Sequence, residues 1–142
     1  MLKDGFDDKE NAADCLALAE EVKAGIEKYA IVETEDFGKI YAYETDGLGH
    51  YVLMDDANSP SLLSMPYIGY CEKDDEIYLN TRRFILSEKN PYYFSGKAAH
   101  GIGSPHTGED KIWHISLIMQ IITSLDENEK LLVPFRTWRH IP

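Results

Sequence analysis

The chain has 142 residues, 44% of them hydrophobic, which suits one domain with a real core rather than a disordered segment. Its 14 basic and 25 acidic residues give a formal net charge of −11. This charge opposes binding to nucleic acid phosphates and to anionic membrane surfaces. We therefore expect a neutral or cationic partner, and we interpret the acidic first third of the chain as a solvated helix face.

Two cysteines, Cys15 and Cys71, lie in different predicted elements and form neither a CxxC pair nor a disulfide framework. We expect both to be reduced and buried. The N-terminus MLKDGFDDKE lacks the apolar core of a signal peptide, and no stretch approaches the roughly 20 apolar residues that cross a bilayer. A cytoplasmic location is therefore the expectation.

The first predicted element is a helix from about Lys9 to Ala30, where apolar residues recur at three- and four-residue steps with Glu and Lys between them. Two β-prone runs follow, Ile40 to Glu44 and His50 to Met54. The glycines of the sequence DGLG between these runs suit a tight turn. The pattern predicts a hairpin whose second strand leads directly into the motif MDDAN.

Polar capping residues mark the next predicted element. Ser59 as N-cap and Pro60 in the first turn predict a short helix through SLLSMPYIGY that is kinked or ends near Pro66. A further helix is predicted from about Glu76 to Leu86, and it contains the motif NTRR. Both helices would present polar residues at their ends.

A long segment, NPYYFSGKAAHGIGSPHTGEDK, is rich in Gly, Pro and Ser and too long for an ordinary connection, so we interpret it as a binding loop. The last predicted helix, Ile112 to Leu125, is apolar on all sides, which predicts little contact with water. With four to five helices, one hairpin and no βαβ alternation, the chain is predicted to be mainly α. Pro134 interrupts LLVPFRTWRHIP, so we expect this end to be cut or altered.

No Walker loop, GxGxxG, GxSxG, HExxH or paired-Cys zinc pattern occurs in the sequence. Polar and aromatic candidates instead gather where helices and loops meet. Carboxylates, amides, guanidinium groups and aromatic faces together are typical of a sugar site, because hydroxyls need acceptors and donors while the C–H face of the ring packs on aromatics. The candidates are Asp55, Asp56, Asn58, Asn80, Arg82, Arg83, His100, Ser104, His106 and Trp113.

Each candidate also has a simpler interpretation. The two aspartates could be plain helix caps, the arginines surface cations, and His106 a loop histidine. For Trp113 a core position is the better interpretation. Aspartates and histidines together could bind a divalent metal, but no ligand spacing supports one, so no metal is predicted.

Three strings carry a family resemblance: YETDGLGHYVLMDDANSPSLLSMPYIGY, NTRRFILSEKNPYYFSGKAAHGIGSPHT and IWHISLIMQIITS. Together they resemble glycoside hydrolase family 125, exo-acting α-1,6-mannosidases also described as metal-independent α-mannosidases. The similarity runs from about Ile40 to about Ser124, with MDDAN, NTRRF and GIGSPHT in the family's order and spacing.

The resemblance implies a mainly α fold, a portion of an (α/α)6 barrel or toroid with one β-hairpin and a funnel for a terminal mannose. It implies inverting hydrolysis without metal or other cofactor, by a carboxylic acid and a carboxylate roughly 6.5 to 9.5 Å apart. The order of the family's motifs implies that its acid, an Asp, lies in a segment N-terminal to this chain and that its base, a Glu, lies in a segment C-terminal to the last matching helix. We therefore expect 1–142 to be a partial domain with family-like motifs in 40–124 and a divergent or truncated end in 125–142.

The resemblance transfers a binding surface for an α-mannoside oligosaccharide onto Asp55, Asp56, Asn58, Arg82, Arg83, Ser104 and His106. Of the two aspartates, one is expected to bind sugar hydroxyls and the other to cap the helix begun at Ser59. The alternatives are a non-catalytic carbohydrate-binding or degenerate remnant of such an enzyme, and a small helical interaction domain. Because part of a barrel would be missing, we also expect self-association through the uncovered faces of 18–30 and 112–125.

Overall fold

The computed structural model describes residues 8–97 and 99–129. These residues form three α-helices of ten residues or more and three two-stranded antiparallel sheets. The elements are α1 (Lys9–Tyr29), β1 (Ile31–Thr34), β2 (Gly38–Tyr41), β3 (Glu44–Thr45), β4 (Tyr51–Val52), α2 (Glu76–Ile85), β5 (Tyr93–Ser95), β6 (His100–Ile102) and α3 (His114–Thr123). The expectations for residues 1–7 and for LLVPFRTWRHIP concern residues outside the described ranges.

Helix α1 confirms the first predicted element. It begins at Lys9, and the preceding Asp8 is its N-cap, whose carboxylate accepts the backbone N–H of Asn11. No residue of this helix is buried, and the apolar side chains of Leu16, Leu18 and Val22 are between 52% and 66% exposed. The amphipathic pattern therefore formed a helix, but most of its apolar face lies in solvent.

The hairpin around DGLG is confirmed at its tip only, where β3 pairs with β4. Ile40 belongs instead to a hairpin that the sequence analysis missed, in which β1 pairs with β2 and Ile40 lies opposite Val32. Gly38, at φ 74°, begins β2 after the turn of that hairpin. The prediction paired the run from Ile40 with the wrong strand. Two β-prone runs beside a glycine-rich turn resemble a hairpin, and the sequence pattern does not show that the earlier strand β1 pairs with one of these runs instead.

Helix α2 lies where it was predicted and is attached to β2. Asp75 caps its first turn by accepting the N–H of Tyr78. The hydroxyl of Thr81 accepts the backbone N–H of Tyr41 at 2.9 Å, which fixes the helix against the strand. The largest core cluster forms beside this contact and consists of Ile40, Ala57, Leu63, Phe84, Ile85, Ile102 and Met119.

The predicted helix from Ser59 is wrong. The segment is a series of turns in which Ser64 and Met65 donate to the carbonyls of Ser61 and Leu62, three residues earlier. Ser59 is exposed and caps nothing in this segment; the first free N–H groups are bound by Asp55 instead. A proline at position 66 removes one donor from the segment, so a regular helix could not continue through it.

The long Gly-rich segment is not only a loop, because β5 and β6 form a third hairpin inside it. The prediction of little water contact for the last helix is wrong as well. Helix α3 buries Leu117 and Met119, but Ile115 and Ile118 are 52% and 54% exposed. The described part of the chain thus has three helices of ten residues or more and three hairpins, whereas four to five helices and one hairpin were predicted.

The cysteines only partly match expectation. Both are free thiols, but Cys15 is exposed and Cys71 is half-buried. Cys15 lies on α1, none of whose residues is buried. The prediction that both cysteines are buried is therefore wrong. Among the described residues, no helix combines the length and the apolar character needed to cross a bilayer.

Candidate functional site

The structure brings two of the three sequence motifs together. The backbone N–H of Ala57 in MDDAN donates to the carbonyl of Gly103 in GIGSPHT at 2.9 Å. We call residues 55–58, Asn90 and 102–104 the motif junction. Nearly fifty residues separate the two motifs in sequence, so only the fold makes them neighbours.

Asn90 holds the motif junction together, and the sequence analysis did not single it out. Its side chain is 1% exposed. Its amide nitrogen donates to the carbonyls of Asp55 and Ile85, both at 3.0 Å, and its amide oxygen accepts the N–H groups of Asp55 and Tyr92, both at 3.2 Å. The sequence signal was only that of a turn, an Asn before a Pro.

Asp55 is the structural cap of the pair. Asp55 is 0% exposed, and its two carboxylate oxygens accept the N–H groups of Leu62 at 3.0 Å and Leu63 at 3.1 Å. The pKa of Asp55 is raised to about 7, mainly by burial, with a smaller contribution in the same direction from the charge of Asp56; the hydrogen bonds from Leu62 and Leu63 act in the opposite direction.

Asp56 lies beside it and is also buried, at 4% exposure. One of its oxygens accepts the N–H of Asn58 at 3.0 Å, and the other accepts the side-chain amide of Asn58 at 2.7 Å. The phenol of Tyr43 lies near both aspartates, and burial followed by the charges of Asp56 and Asp55 raises its pKa. Tyr43 was not among the predicted site residues, although it stands in one of the three family-like strings.

The GIGSPHT side of the junction has one buried and one exposed candidate. Ser104 is 0% exposed, and its hydroxyl accepts the N–H of His106 at 3.3 Å, while the side chain of His106 is exposed. His100 lies in β6 and is exposed. Trp113 packs against the main core cluster, which confirms the core interpretation.

The NTRR motif lies elsewhere and serves two attachments. Arg82 is 8% exposed and donates through Nη2 to the carbonyl of Gln120 at 3.1 Å and to the carboxylate of Glu129 at 2.7 Å. Burial opposes ionisation of Glu129, but hydrogen bonds from Ser124 and Gln120 and the charge of Arg82 bring its pKa below the usual range. Arg82 thus connects α2 to the chain beyond α3.

Arg83 is exposed and Asn80 is half-buried beside the first hairpin. Arg83 donates to the side-chain oxygen of Asn80 at 2.5 Å, and Asn80 donates to the carbonyl of Lys39 at 3.2 Å. The two therefore attach α2 to the first hairpin. The structure brings Asp55, Asp56, Asn58 and Ser104 to one place, and it puts the arginines in another.

A cleft of about 490 Å³ opens beside the motif junction. Its lining combines aromatic rings, carboxylates and one buried hydroxyl. The lining residues are Pro91, Tyr92, Phe94, Ser104, Pro105, Gly108, Glu109 and Asp110. This set can hold a neutral polar ligand that has both hydroxyls and an apolar face. Within residues 8–97 and 99–129, no group of three His, Cys, Asp or Glu side chains is placed to hold a metal ion.

Comparisons with known proteins agree with this chemistry. The family model of the metal-independent alpha-mannosidases (GH125) matches residues 2–133. The meiotically up-regulated gene 157 protein of Schizosaccharomyces pombe is 52% identical over 119 residues, which are 83% of this chain and 23% of that protein.

A solved Streptococcus pneumoniae protein, from a family of widely distributed metal-independent alpha mannosidases, superposes with a TM-score of 0.86 and 46% identity. That structure is a non-productive substrate complex with alpha-1,6-mannobiose, and the match covers 92% of this chain and 30% of that one. The chain thus spans less than a third of the length of these relatives. With almost the whole chain matched by the family model, the chain belongs to glycoside hydrolase family 125.

Proposed function

We propose that this chain is part of a glycoside hydrolase that cleaves terminal α-mannosides, with the exo-α-1,6 specificity that the family resemblance implies. The observation that carries the proposal is the 46% identity, at a TM-score of 0.86, to a protein solved with alpha-1,6-mannobiose. The chemistry of the cleft beside the motif junction supports it, because aromatic faces and carboxylates suit a sugar.

We further propose that α1 and α3 belong to an (α/α)6 toroid. Both helices pack on one side only: α1 buries no residue, and α3 leaves Ile115, Ile118 and Ile122 exposed. A helix in a two-layer toroid needs neighbours on more than one side. If further helices pack on the exposed faces of α1 and α3, the apolar side chains on those faces become buried, which would explain why the faces are apolar.

We propose that the acid and base of an inverting mechanism lie outside these 142 residues. The buried carboxylates among the described residues are those of Asp55 and Asp56. Both oxygens of Asp55 accept backbone N–H groups, and both oxygens of Asp56 accept donors from Asn58. A general acid or base must instead exchange a proton with substrate or water, at the roughly 6.5 to 9.5 Å separation that inversion requires.

The proposed substrate-binding residues divide into two groups by position. Five lie at or next to the motif junction: Asp55, Asp56, Asn58, Ser104 and His106. Of these, Asp55 acts mainly as a cap, which leaves Asp56 and Asn58 as the closer candidates for sugar hydroxyls. Arg82 and Arg83 belong to the second group, where Arg82 lines a separate groove of about 770 Å³.

A non-catalytic carbohydrate-binding or degenerate protein is the second candidate. The observation that favours it is that the two aspartates are already hydrogen-bonded within the chain. Such a protein would bind a mannoside and release nothing.

One experiment tests the mannoside binding that both candidates predict and the proposed position of the catalytic pair outside this chain. The purified 142-residue chain is incubated with α-1,6-mannobiose, free mannose is measured, and near-UV circular dichroism on the same sample reports packing. Isothermal titration with the same disaccharide measures binding. We expect binding without release. Release above the blank would place an active acid and base within the chain, and a folded sample that does not bind would overturn the proposed function.

A further inference from the structure

We propose that the groove of about 770 Å³, lined mainly by α2 and residues 124–129, is a docking site for residues 130–142 of the same chain. Among the described residues, this groove shares no lining residue with the cleft beside the motif junction. The docking site is therefore independent of the proposed function, and neither a mannoside nor a catalytic group is part of it.

The groove is already formed within the described residues. Arg82 of α2 donates through Nη2 to the carbonyl of Gln120 at 3.1 Å and to the carboxylate of Glu129 at 2.7 Å. Gln120 in turn donates to the other oxygen of Glu129 at 2.6 Å, and Lys73 donates to the carbonyl of Ile122 at 2.6 Å. These hydrogen bonds hold α2 and the end of α3 together, so the groove needs little ordering when a segment docks in it.

The groove has an apolar surface that the described residues leave open. Leu79 and Leu86 are half-buried, and Leu125 is 54% exposed. Covering these side chains removes apolar area from water, which favours docking. Residues 130–142 contain side chains that can cover them: Leu131, Leu132, Val133, Phe135, Trp138 and Ile141.

The groove also carries an excess of negative charge. Arg82 and Glu129 line it as an ion pair, so their charges cancel. The other charged residues of the lining are exposed and carry three negative charges and one positive charge: Asp74, Glu76, Asp126 and Arg83. The groove therefore attracts a cationic occupant.

Residues 130–142 have the opposite charge. They contain Lys130, Arg136 and Arg139 and no Asp or Glu, although the whole chain has a net charge of −11. The segment thus combines basic and apolar side chains, which are the two properties that the groove selects.

Connectivity favours this segment over a separate basic partner. Glu129, the last described residue, lines the groove, and Lys130 follows it directly. A segment attached at the edge of its own binding site has an effective concentration on the order of millimolar. A second copy of the chain or a free basic peptide would have to compete with that concentration.

The test places a nitroxide spin label beside Trp138 in the full 142-residue chain. The label is attached to Thr137→Cys, with Cys15→Ser and Cys71→Ser removing the free thiols. We expect the label to reduce the NMR signals of the Leu79 and Leu86 amides, and ascorbate reduction of the nitroxide to restore them. Thermal melting checks that each labelled variant is folded.

Charge variants separate docking from the simple presence of a nearby tether, which is the same in all of them. Asp74→Lys/Asp126→Lys should lower the ratio of docked to undocked segment about tenfold, seen as smaller signal loss at Leu79 and Leu86. Adding Arg136→Glu/Arg139→Glu to this variant should restore the loss, because the charges are then exchanged. Glu20→Lys/Glu21→Lys, at exposed positions of α1, is the matched control and should change nothing.

A second experiment tests whether the segment docks in its own chain. Spin-labelled chains without 15N are mixed with 15N-labelled chains that carry no spin label, and the same two amides are observed. We expect no signal loss in this mixture. Equal loss in the mixture would assign the groove to a second copy and overturn the proposal, as would a folded, labelled chain without loss at Leu79 and Leu86. Loss that the charge reversal leaves unchanged would also overturn it, and none of these results affects the proposed function.

Discussion

The motif junction and helix α1 were both recognised in the sequence, but the fold treats them in opposite ways. The junction contains polar residues that are buried and hydrogen-bonded, such as Asp55, Ser104 and Asn90, each at most 1% exposed. Helix α1 contains apolar residues that remain in solvent, such as Leu18 at 61% exposure. The polar side chains of the junction are buried because they find hydrogen-bonding partners within the chain, whereas the apolar side chains of α1 are exposed because no described element covers them.

The junction and α1 differ in whether the chain itself supplies the partners of their side chains. The buried amides and carbonyls of the junction find their partners locally, in Asn90 and in the carboxylate of Asp55. The apolar face of α1 contacts the chain mainly near its C-terminal end, where Ile26 packs beside the cluster of Tyr41, Met65 and Tyr78. We therefore expect mutations at the junction to affect folding, and mutations on α1 to affect association.

The largest effect is expected for Asn90→Ala at the motif junction. This change leaves two backbone N–H groups and two carbonyls of a buried site without their side-chain partner. We expect a loss of about 3 kcal/mol in the free energy of unfolding, measured by urea denaturation. Asn80→Ala, on the outside of α2, is the control and should cost less than about 1 kcal/mol. Equal losses would show that the junction is no more cooperative than the surface.

Two glycine substitutions, one at the motif junction and one in α1, should change the free energy of unfolding in opposite directions. A Cβ on Gly103 would lie 2.1 Å from the carbonyl oxygen of Lys111, so Gly103→Ala should lower stability by about 2 kcal/mol. A Cβ on Gly25 in α1 meets nothing within 4 Å, so Gly25→Ala should raise stability by about 0.5 to 1 kcal/mol. Thermal melts of both variants provide the measurement, and two changes of the same sign would contradict it.

The pH dependence of stability tests the burial of Asp55. An unfolded Asp releases its proton near pH 3.8, while burial raises the pKa of Asp55 to about 7 in the folded chain. The folded state thus binds more protons between these values, and the free energy of unfolding should fall as pH rises through this window. Denaturation midpoints from pH 4 to 8 should fall less steeply for Asp55→Asn.

The control for that measurement is Asp46→Asn at the exposed hairpin tip. Backbone and side-chain hydrogen bonds from Leu48 and His50 lower the pKa of Asp46. Its contribution is therefore lost only as pH falls below about 4, and the variant should run parallel to the unchanged chain at higher pH. Parallel curves for Asp55→Asn as well would mean that Asp55 ionises normally.

The smallest expected effect on stability is on α1. Leu18→Glu and Val22→Glu should change the free energy of unfolding by no more than about 0.5 kcal/mol, because neither side chain is buried. They should nevertheless reduce self-association, which sedimentation velocity measures, because they remove an exposed apolar patch. Leu48→Glu at the hairpin tip, where the leucine is 84% exposed, is the matched control. A monomeric unchanged chain would contradict the proposed association.

Much of the fold could be predicted from periodicity and capping. Helices α1 and α2 lie within a residue of their predicted bounds, since Asp8 and Asp75 cap them through local contacts. The β1–β2 hairpin was missed, because Ile40 pairs with the earlier strand β1. After Ser59 the predicted helix and its Ser59 cap are wrong, but the expectation that one of the two aspartates caps this segment is confirmed: the carboxylate of Asp55 accepts the N–H of Leu62, seven residues later.

The family, the main helices and the residue types of the proposed sugar site could be inferred from the sequence alone, because these depend on motifs and local spacing. Only the tertiary structure decided which of those residues meet. In the fold MDDAN contacts GIGSPHT, Arg82 forms an ion pair with Glu129, and Asp55 caps backbone N–H groups. The sequence does not show these contacts, because backbone groups that long-range contacts bury must find hydrogen-bond partners wherever the fold provides them.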